Sequence, residues 1–197
     1  MSTSKRIVLA SNNPHKLQEI GRMLAASGIE LLPLSAFPEL PEPPETAPDF
    51  EGNALQKARF VYERTGLPAL ADDSGLEVDA LGGAPGVHSK RWTPEAIAET
   101  NMVKLKAEME GKSQRGARFV CALGLVTDKG ERAWRGTVEG TIAQERRGEH
   151  GFGYDPMFLP EAAPGKTMAE LSPAEKDAIS HRGQALEGLP EALRELL

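Results

Sequence analysis

The sequence predicts an α/β fold with a mixed central sheet flanked by helices. Three observations predict it. Ile7-Val8-Leu9-Ala10 is an apolar strand that runs directly into Asn13-Pro14, a helix start. Ala69-Leu70-Ala71 repeats the pattern after a second helical stripe, giving another βα-type unit. Residues 117–127 and 132–142 read as long strands on either side of Asp128-Lys129-Gly130, a hairpin turn. The βα units favour parallel strands and the hairpin antiparallel ones, so one sheet contains both.

The elements follow in order. The first strand is Ile7–Ala10. Asn13 caps the next helix, with Pro14 at its first position, where a missing N–H costs nothing. Leu17, Ile20 and Leu24 keep helical spacing until Gly28. A short strand, Glu30–Leu34, comes next. Residues 37–48 hold five prolines among acids and form an extended loop on a stiff course. Asp49 caps a helix whose apolar stripe is Ala54, Leu55, Ala58, Val61 and Tyr62. The strand Ala69–Ala71 then meets Asp72-Asp73-Ser74-Gly75, followed by the alternating Leu76-Glu77-Val78-Asp79. Thr93-Pro94 is expected to open a helix that Gly111 closes. A Gly-rich loop spans 148–153, and Ser172, Pro173 and Glu175 form a capping box at the start of a C-terminal helical region.

With 197 residues, 40% hydrophobic and 26% charged, the chain is expected to form a single domain over 1–197. No apolar run approaches the ~18 residues that a membrane span needs. Met1–Arg6 carries two basic residues with no apolar run or small-residue cleavage site behind it, so no secretory leader is expected, and a cytoplasmic location follows. The one cysteine, Cys121, excludes an intrachain disulfide and lies in an apolar strand, which makes it a core residue. The net charge of −6 opposes nucleic-acid partners, which need a basic face. It does not oppose a small polyphosphate, because nearby lysines and a divalent cation can invert the local field.

Several clusters carry chemistry. Ser11-Asn12-Asn13-Pro14-His15-Lys16 joins strand to helix, where unpaired backbone N–H groups and the positive helix end can cradle phosphate. It lacks the glycines of a Walker A loop, and on spacing alone it is equally an ordinary capped loop. Asp72-Asp73 puts adjacent carboxylates at the end of a buried strand, which is costly unless a cation or hydrogen bonds offset them. Neighbouring strand side chains point to opposite faces, so one Asp is expected to enter a site and the other to serve structure. Glu45 precedes the helix bearing Lys57, and with Asp73 it would suffice for magnesium, which prefers one or two carboxylates plus water and phosphates. Spacing does not separate Glu45 from Glu39, Glu42 or Glu51. Gly151-Phe152-Gly153-Tyr154-Asp155-Pro156 offers open backbone, rings able to stack on a base, and a carboxylate, though a ring can equally turn into the core. In the last cluster Lys176 precedes His181-Arg182-Gly183. If the helix continues, Ala178, His181, Arg182 and Ala185 share one face.

These stretches together resemble the inosine triphosphate pyrophosphatase family, the RdgB-like purine nucleoside triphosphate pyrophosphatases. The resemblance rests on SNNPHK at 11–16 and Gly52-Asn53-Ala54 through Lys57-Ala58. It continues through ADDSGLEVDALGGAPGVHS at 71–89, GFGYDPMF at 151–158, KTMAEL at 166–171 and EKDAISHRGQAL at 175–186, nearly the whole chain in order. Ser11-Asn12 stands where many members have Thr-Gly. The resemblance implies two lobes with a nucleotide cleft between them, a homodimer, and hydrolysis of ITP, dITP and XTP to monophosphate and pyrophosphate. It further implies that Ser11, Asn12, Asn13, Pro14, His15, Lys16 and Lys57 hold the triphosphate. Asp73 would be proton acceptor and Mg2+ ligand, Glu45 a second ligand, and Ser74 a substrate contact. Phe152, Gly153, Tyr154, Asp155, Lys176, His181 and Arg182 would line the base and sugar pocket. A pyrophosphatase for other modified nucleotides and a non-catalytic nucleotide-binding module are the competing readings. Against the second, a pure binder gains little from extra carboxylates beside a triphosphate. A dinucleotide oxidoreductase is disfavoured because no glycine fingerprint follows the first strand.

Overall fold

The computed structural model describes residues 5–196. The leader expectation therefore falls largely outside the described residues, since 1–4 belong to it. The elements are β1 (Lys5–Leu9), α1 (Pro14–Leu24), β2 (Ile29–Pro33), α2 (Phe50–Thr65), β3 (Ala69–Val78) and α3 (Ala98–Glu108). They continue with β4 (Gly116–Thr127), β5 (Gly130–Ile142), β6 (Phe158–Pro160), α4 (Pro173–Ile179), α5 (His181–Glu187) and α6 (Leu189–Leu196). The six strands form one sheet in the order β2-β1-β3-β4-β5-β6. β1 runs parallel to β2 and β3, and β6 runs antiparallel to β5, so the sheet is mixed as the sequence predicts. Among the described residues no helix is long and apolar enough to cross a membrane.

Local chemistry explains the helix starts. Asn13 accepts hydrogen bonds from the N–H groups of His15 and Lys16, with Pro14 at the first position of α1. Asp49 accepts from Gly52 N–H to cap α2, whose end is set by Gly66 in the left-handed region. The Ser172–Glu175 capping box starts α4.

The chain divides into two compact units. The first comprises the described residues up to Asp73 with 121–136 and 182–196; the second comprises 74–120 and 137–181. In the first, strand alternation builds two cores. Ile7, Leu9, Leu70, Cys121, Leu123 and Leu125 point to one face and pack with Ile20 of α1, Ala185 of α5 and Leu189 of α6. Val8, Ala10, Ala69 and Ala71 point to the other and pack with Ala58 and Val61 of α2. Each large apolar side chain removed from water here contributes about 1.5–3 kcal/mol. α2 lies close on β4: a Cβ on Gly124 would come within 2.8 Å of the Ala54 backbone. The second unit has its own core, with Leu76, Val78, Leu105, Phe119, Met157 and Phe158.

Three expectations are corrected. β3 does not end at Ala71 but runs through Asp72-Asp73-Ser74-Gly75 to Val78: pairing with β1 reaches only Leu70, and the strand continues beside its other neighbour, β4, against the turn preference of those residues. Thr93-Pro94 does not open α3: Ala96 turns into the left-handed region at φ 53°, and Ile97 caps the helix instead. The helix does not continue from 173 through 185, because Ser180 is extended (φ −69°, ψ 152°) and separates α4 from α5. β6 and the short 3-10 turn Met168–Glu170 were not anticipated.

Candidate active site

The two-face geometry of β3 governs the acidic pair. Asp72 has the parity of Leu70 and faces α1 and α5; Asp73 has the parity of Ala71 and faces α2. Both are buried.

On the α2 face, Lys57 Nζ donates to Glu45 Oε1 at 2.7 Å and to Asp73 Oδ1 at 3.1 Å. Asn53 Nδ2 donates to Asp73 Oδ2 at 3.1 Å. Burial pushes the Asp73 carboxyl above its ordinary value; Lys57 and Lys16 oppose this without cancelling it, and Glu45 adds to it. For Lys57, burial works downward, yet Asp73, Glu45 and Asp72 outweigh it and hold the ammonium above its usual value. Two carboxylates thus converge on one ammonium.

On the other face, Lys16 Nζ lies 2.7 Å from Asp72 Oδ1. Arg182 Nη2 donates to Asp72 Oδ2 at 3.0 Å and Nε at 3.2 Å, while Nη1 donates to Glu19. The Cys121 thiol lies 3.6 Å from Asp72 Oδ2. Burial alone would raise the Asp72 carboxyl, but Lys16, Arg182 and Lys57 hold it well below the usual carboxylate range. Burial first, then Asp72, pushes the Cys121 thiol up. The core reading of Cys121 holds, with this contact added.

The loop before α1 is less open than its sequence suggests. Asn13 N–H donates to Ser11 Oγ at 3.2 Å, Ser11 N–H to Leu9 O at 2.8 Å, and Asn13 Oδ1 takes the N–H groups of His15 and Lys16. The expected row of unpaired N–H groups is therefore largely spent on self-capping. Asn12, Pro14 and His15 are exposed, and Lys16 is half-buried.

In the second unit, Lys176 Nζ donates to Asp155 Oδ2 at 2.7 Å and lies 4.9 Å from the centre of the half-buried Phe152 ring. Phe152 N–H also donates to Asp155, and Gly151 leaves room for this carboxylate, since a Cβ there would sit 2.0 Å from Asp155 Oδ2. Tyr154 is turned into the core, its hydroxyl donating to Ser89 O at 2.9 Å; of the two aromatics, Phe152 is the accessible one. The His181 ring stacks on Phe119 at 5.0 Å between centroids. Gly153 and Ser74 are half-buried.

Sequence reasoning paired Glu45 with Asp73 and the resemblance gave Lys57 to the triphosphate, but Glu19, Asn53 and the contact of Lys57 with both Glu45 and Asp73 were missed. Glu19 falls on the buried stripe of α1 beside Ile20, and Asn53 on that of α2 beside Ala54. An acid and an amide on apolar stripes were the signals available. Among the described residues no group of three or more His, Cys, Asp or Glu side chains could hold a metal. Glu45 and Asp73 could hold a cation as a pair, their hard oxygens suiting an ion that completes its shell with water and phosphate oxygens.

A family model described as the Ham1 family matches residues 7–192. A dITP/XTP pyrophosphatase of Mycobacterium tuberculosis is 49% identical, covering 100% of this chain and 98% of that protein. A solved HAM1 protein from Coxiella burnetii is 44% identical with a TM-score of 0.86, covering 96% of this chain and 98% of its own. The Ham1 protein of Staphylococcus aureus is 36% identical with a TM-score of 0.85 over the same shares. The chain belongs to the Ham1 family.

Proposed function

We propose that this protein is a nucleoside triphosphate pyrophosphatase that hydrolyses the non-standard purine nucleotides ITP, dITP and XTP to monophosphate and pyrophosphate. The observation that carries the reading is the convergence of Glu45 and Asp73 on Lys57, a half-buried and a buried carboxylate on one buried ammonium. The name of the M. tuberculosis relative, a dITP/XTP pyrophosphatase, supports the substrate class.

Glu45 and Asp73 are assigned to hold Mg2+, which when bound offsets triphosphate charge. Lys57 and Lys16 add fixed positive charge for the phosphates, with Ser11, Asn12, Asn13, Pro14 and His15 bordering Lys16. Asp73 takes a proton from the attacking water, a task favoured by its raised proton affinity. The water oxygen bonds to the α-phosphorus as the bond from that phosphorus to the α–β bridging oxygen breaks. Pyrophosphate leaves with the electron pair. Ser74 is assigned to substrate contact.

Phe152, Gly153, Asp155, Lys176 and His181 are assigned to base and sugar. Tyr154, assigned to the same pocket by the resemblance, has its ring in the core and its hydroxyl on Ser89 O, which leaves its backbone to border Gly153 and Asp155. Arg182 starts on Asp72 and Glu19, so contact with purine O6 would require its guanidinium to exchange one carboxylate for the base. O6 is an acceptor in hypoxanthine and xanthine, whereas adenine presents a donor there, which favours the first two beside a cation. A cytoplasmic homodimer with no nucleic-acid or membrane partner completes the reading. Incubation with ITP and Mg2+ followed by product identification tests it: monophosphate plus pyrophosphate is expected, and diphosphate plus orthophosphate would overturn it. Turnover of ITP, XTP, GTP and ATP side by side tests base choice, with ITP and XTP expected to lead.

A further inference from the structure

The loop carrying Glu45 is fastened to α2 by consecutive contacts. Glu45 accepts from Lys57. Thr46 N–H donates to Gln56 Oε1 at 2.8 Å, and Gln56 Nε2 returns a bond to Thr46 Oγ1 at 2.8 Å. Ala47 N–H donates to Asn53 Oδ1 at 2.8 Å. Residues 45, 46 and 47 thus climb α2 in reverse, onto positions 57, 56 and 53. Asn53 is 2% exposed, and its other amide atom holds Asp73. A single side-chain amide therefore spans the backbone of the Glu45 loop and the carboxylate of β3.

We propose that Asn53 and Gln56 are positioning residues that set the separation of Glu45 from Asp73, so that both can ligate one divalent cation. This inference rests on the reading of Glu45 and Asp73 as metal ligands. The physical case is entropic. A proline-rich loop is stiff along its own path, yet its ends leave the glutamate free to swing as a body. Two bonds from Gln56 and one from Asn53 remove that freedom before the cation arrives. Asn53 suits the task because an amide both donates and accepts: Nδ2–H to a carboxylate on one side, Oδ1 to a backbone N–H on the other. A carboxylate at 53 would lack the donor for Asp73, and a hydroxyl would have to meet both partners through one oxygen.

The test measures Mn2+ binding to the full chain by electron paramagnetic resonance, with a non-hydrolysable α,β-imido analogue of ITP present. Partners that orient ligands commonly govern metal affinity, so Gln56→Ala should raise the Mn2+ dissociation constant about tenfold. Excess Mn2+ should restore the bound signal. Asn53→Asp keeps the acceptor for Ala47 but puts a like charge on Asp73, and should weaken Mn2+ at least as much. Asn53→Ala risks misfolding; Gln56 is only half-buried, which keeps the test decisive. A merely structural clamp would lower the thermal midpoint of Gln56→Ala and leave the Mn2+ constant within twofold of wild type, and that result overturns the proposal. Glu45→Gln runs alongside. If Glu45→Gln abolishes Mn2+ binding while Gln56→Ala does not change it, the ligand assignment stands and the positioning role falls. If Glu45→Gln leaves Mn2+ binding intact, the ligand assignment fails and takes the positioning role with it.

Discussion

Asp72 and Asp73 are neighbours on one strand, yet they sit in opposite electrostatic situations. The Asp72 side sets Asp72 and Glu19 against Lys16 and Arg182, two anions with two cations. The Asp73 side sets Asp73 and Glu45 against Lys57, two anions with one cation. In the first group Lys16 and Arg182 outweigh burial and hold the carboxyl low; in the second, burial raises the carboxyl, the lysines fail to cancel it, and Glu45 adds to it. Charge balance therefore separates a matched ionic group from the one to which the proposed function assigns a further cation. That distinction comes from the two-residue period of a strand, which sends identical side chains to different helices.

The largest effect expected from this contrast is catalytic. Asp73→Asn should lower pyrophosphate release about 10³-fold, the range for a lost general base, while the unfolding midpoint does not fall below wild type. Activity within tenfold of wild type would move the chemistry off Asp73. Asp72→Asn should do the reverse in kind. It strands Arg182 and Lys16 beside a neutral amide, and breaking a buried ionic group from one side costs about 3–5 kcal/mol, read by urea unfolding. A cost below about 1 kcal/mol, the scale of exposed pairs, would erase the contrast.

The pH dependence sharpens it further. Asp72 has a depressed carboxyl, so its contribution to stability is present above the ordinary value of about 3.9 and is lost as pH falls below it. Asp73 has a raised carboxyl, so its contribution is present at low pH and is lost as pH rises through its elevated value. Urea unfolding without metal, over a series of pH values, should show the gap between wild type and Asp72→Asn shrinking toward acid. Wild type should lose ground to Asp73→Asn as pH rises. Parallel trends for the two variants would break the comparison.

The sequence made one side of this contrast easier to read than the other. Asp72-Asp73 after Ala69-Leu70-Ala71, and lysines on two helix segments, stand out because charge amid apolar residues demands a partner. The division of labour between the aspartates also follows from strand parity alone. Glu19 and Asn53 were harder: each lies on a helical stripe, and burial of a polar group there depends on a partner distant in sequence, Arg182 or Asp73. The break at Ser180 was illegible because Ser180-His181 carries no glycine or proline, and Ser180 N–H still bonds to Lys176 O, as an uninterrupted helix would have it. Thr93-Pro94 misled for the opposite reason. A good helix start was present, but Thr93 spends its hydroxyl on Thr100 and Asn101, and the chain turns at Ala96 before α3 begins.

The smallest effect belongs to Cys121, which tests how fully Lys16 and Arg182 satisfy Asp72. The thiol is fully buried and reaches Asp72 Oδ2 at 3.6 Å, the oxygen that Arg182 already contacts through two nitrogens. A weak S–H donor beside two guanidinium bonds adds little, so Cys121→Ala should cost only about 1 kcal/mol, mostly for the lost sulfur volume. Because burial and Asp72 hold the thiol protonated, iodoacetamide should modify it only as fast as the folded chain opens, and added urea should accelerate labelling in step with unfolding. A cost near 3 kcal/mol would mean that the cations leave Asp72 under-bonded, and the charge balance on that face would then need the thiol to complete it.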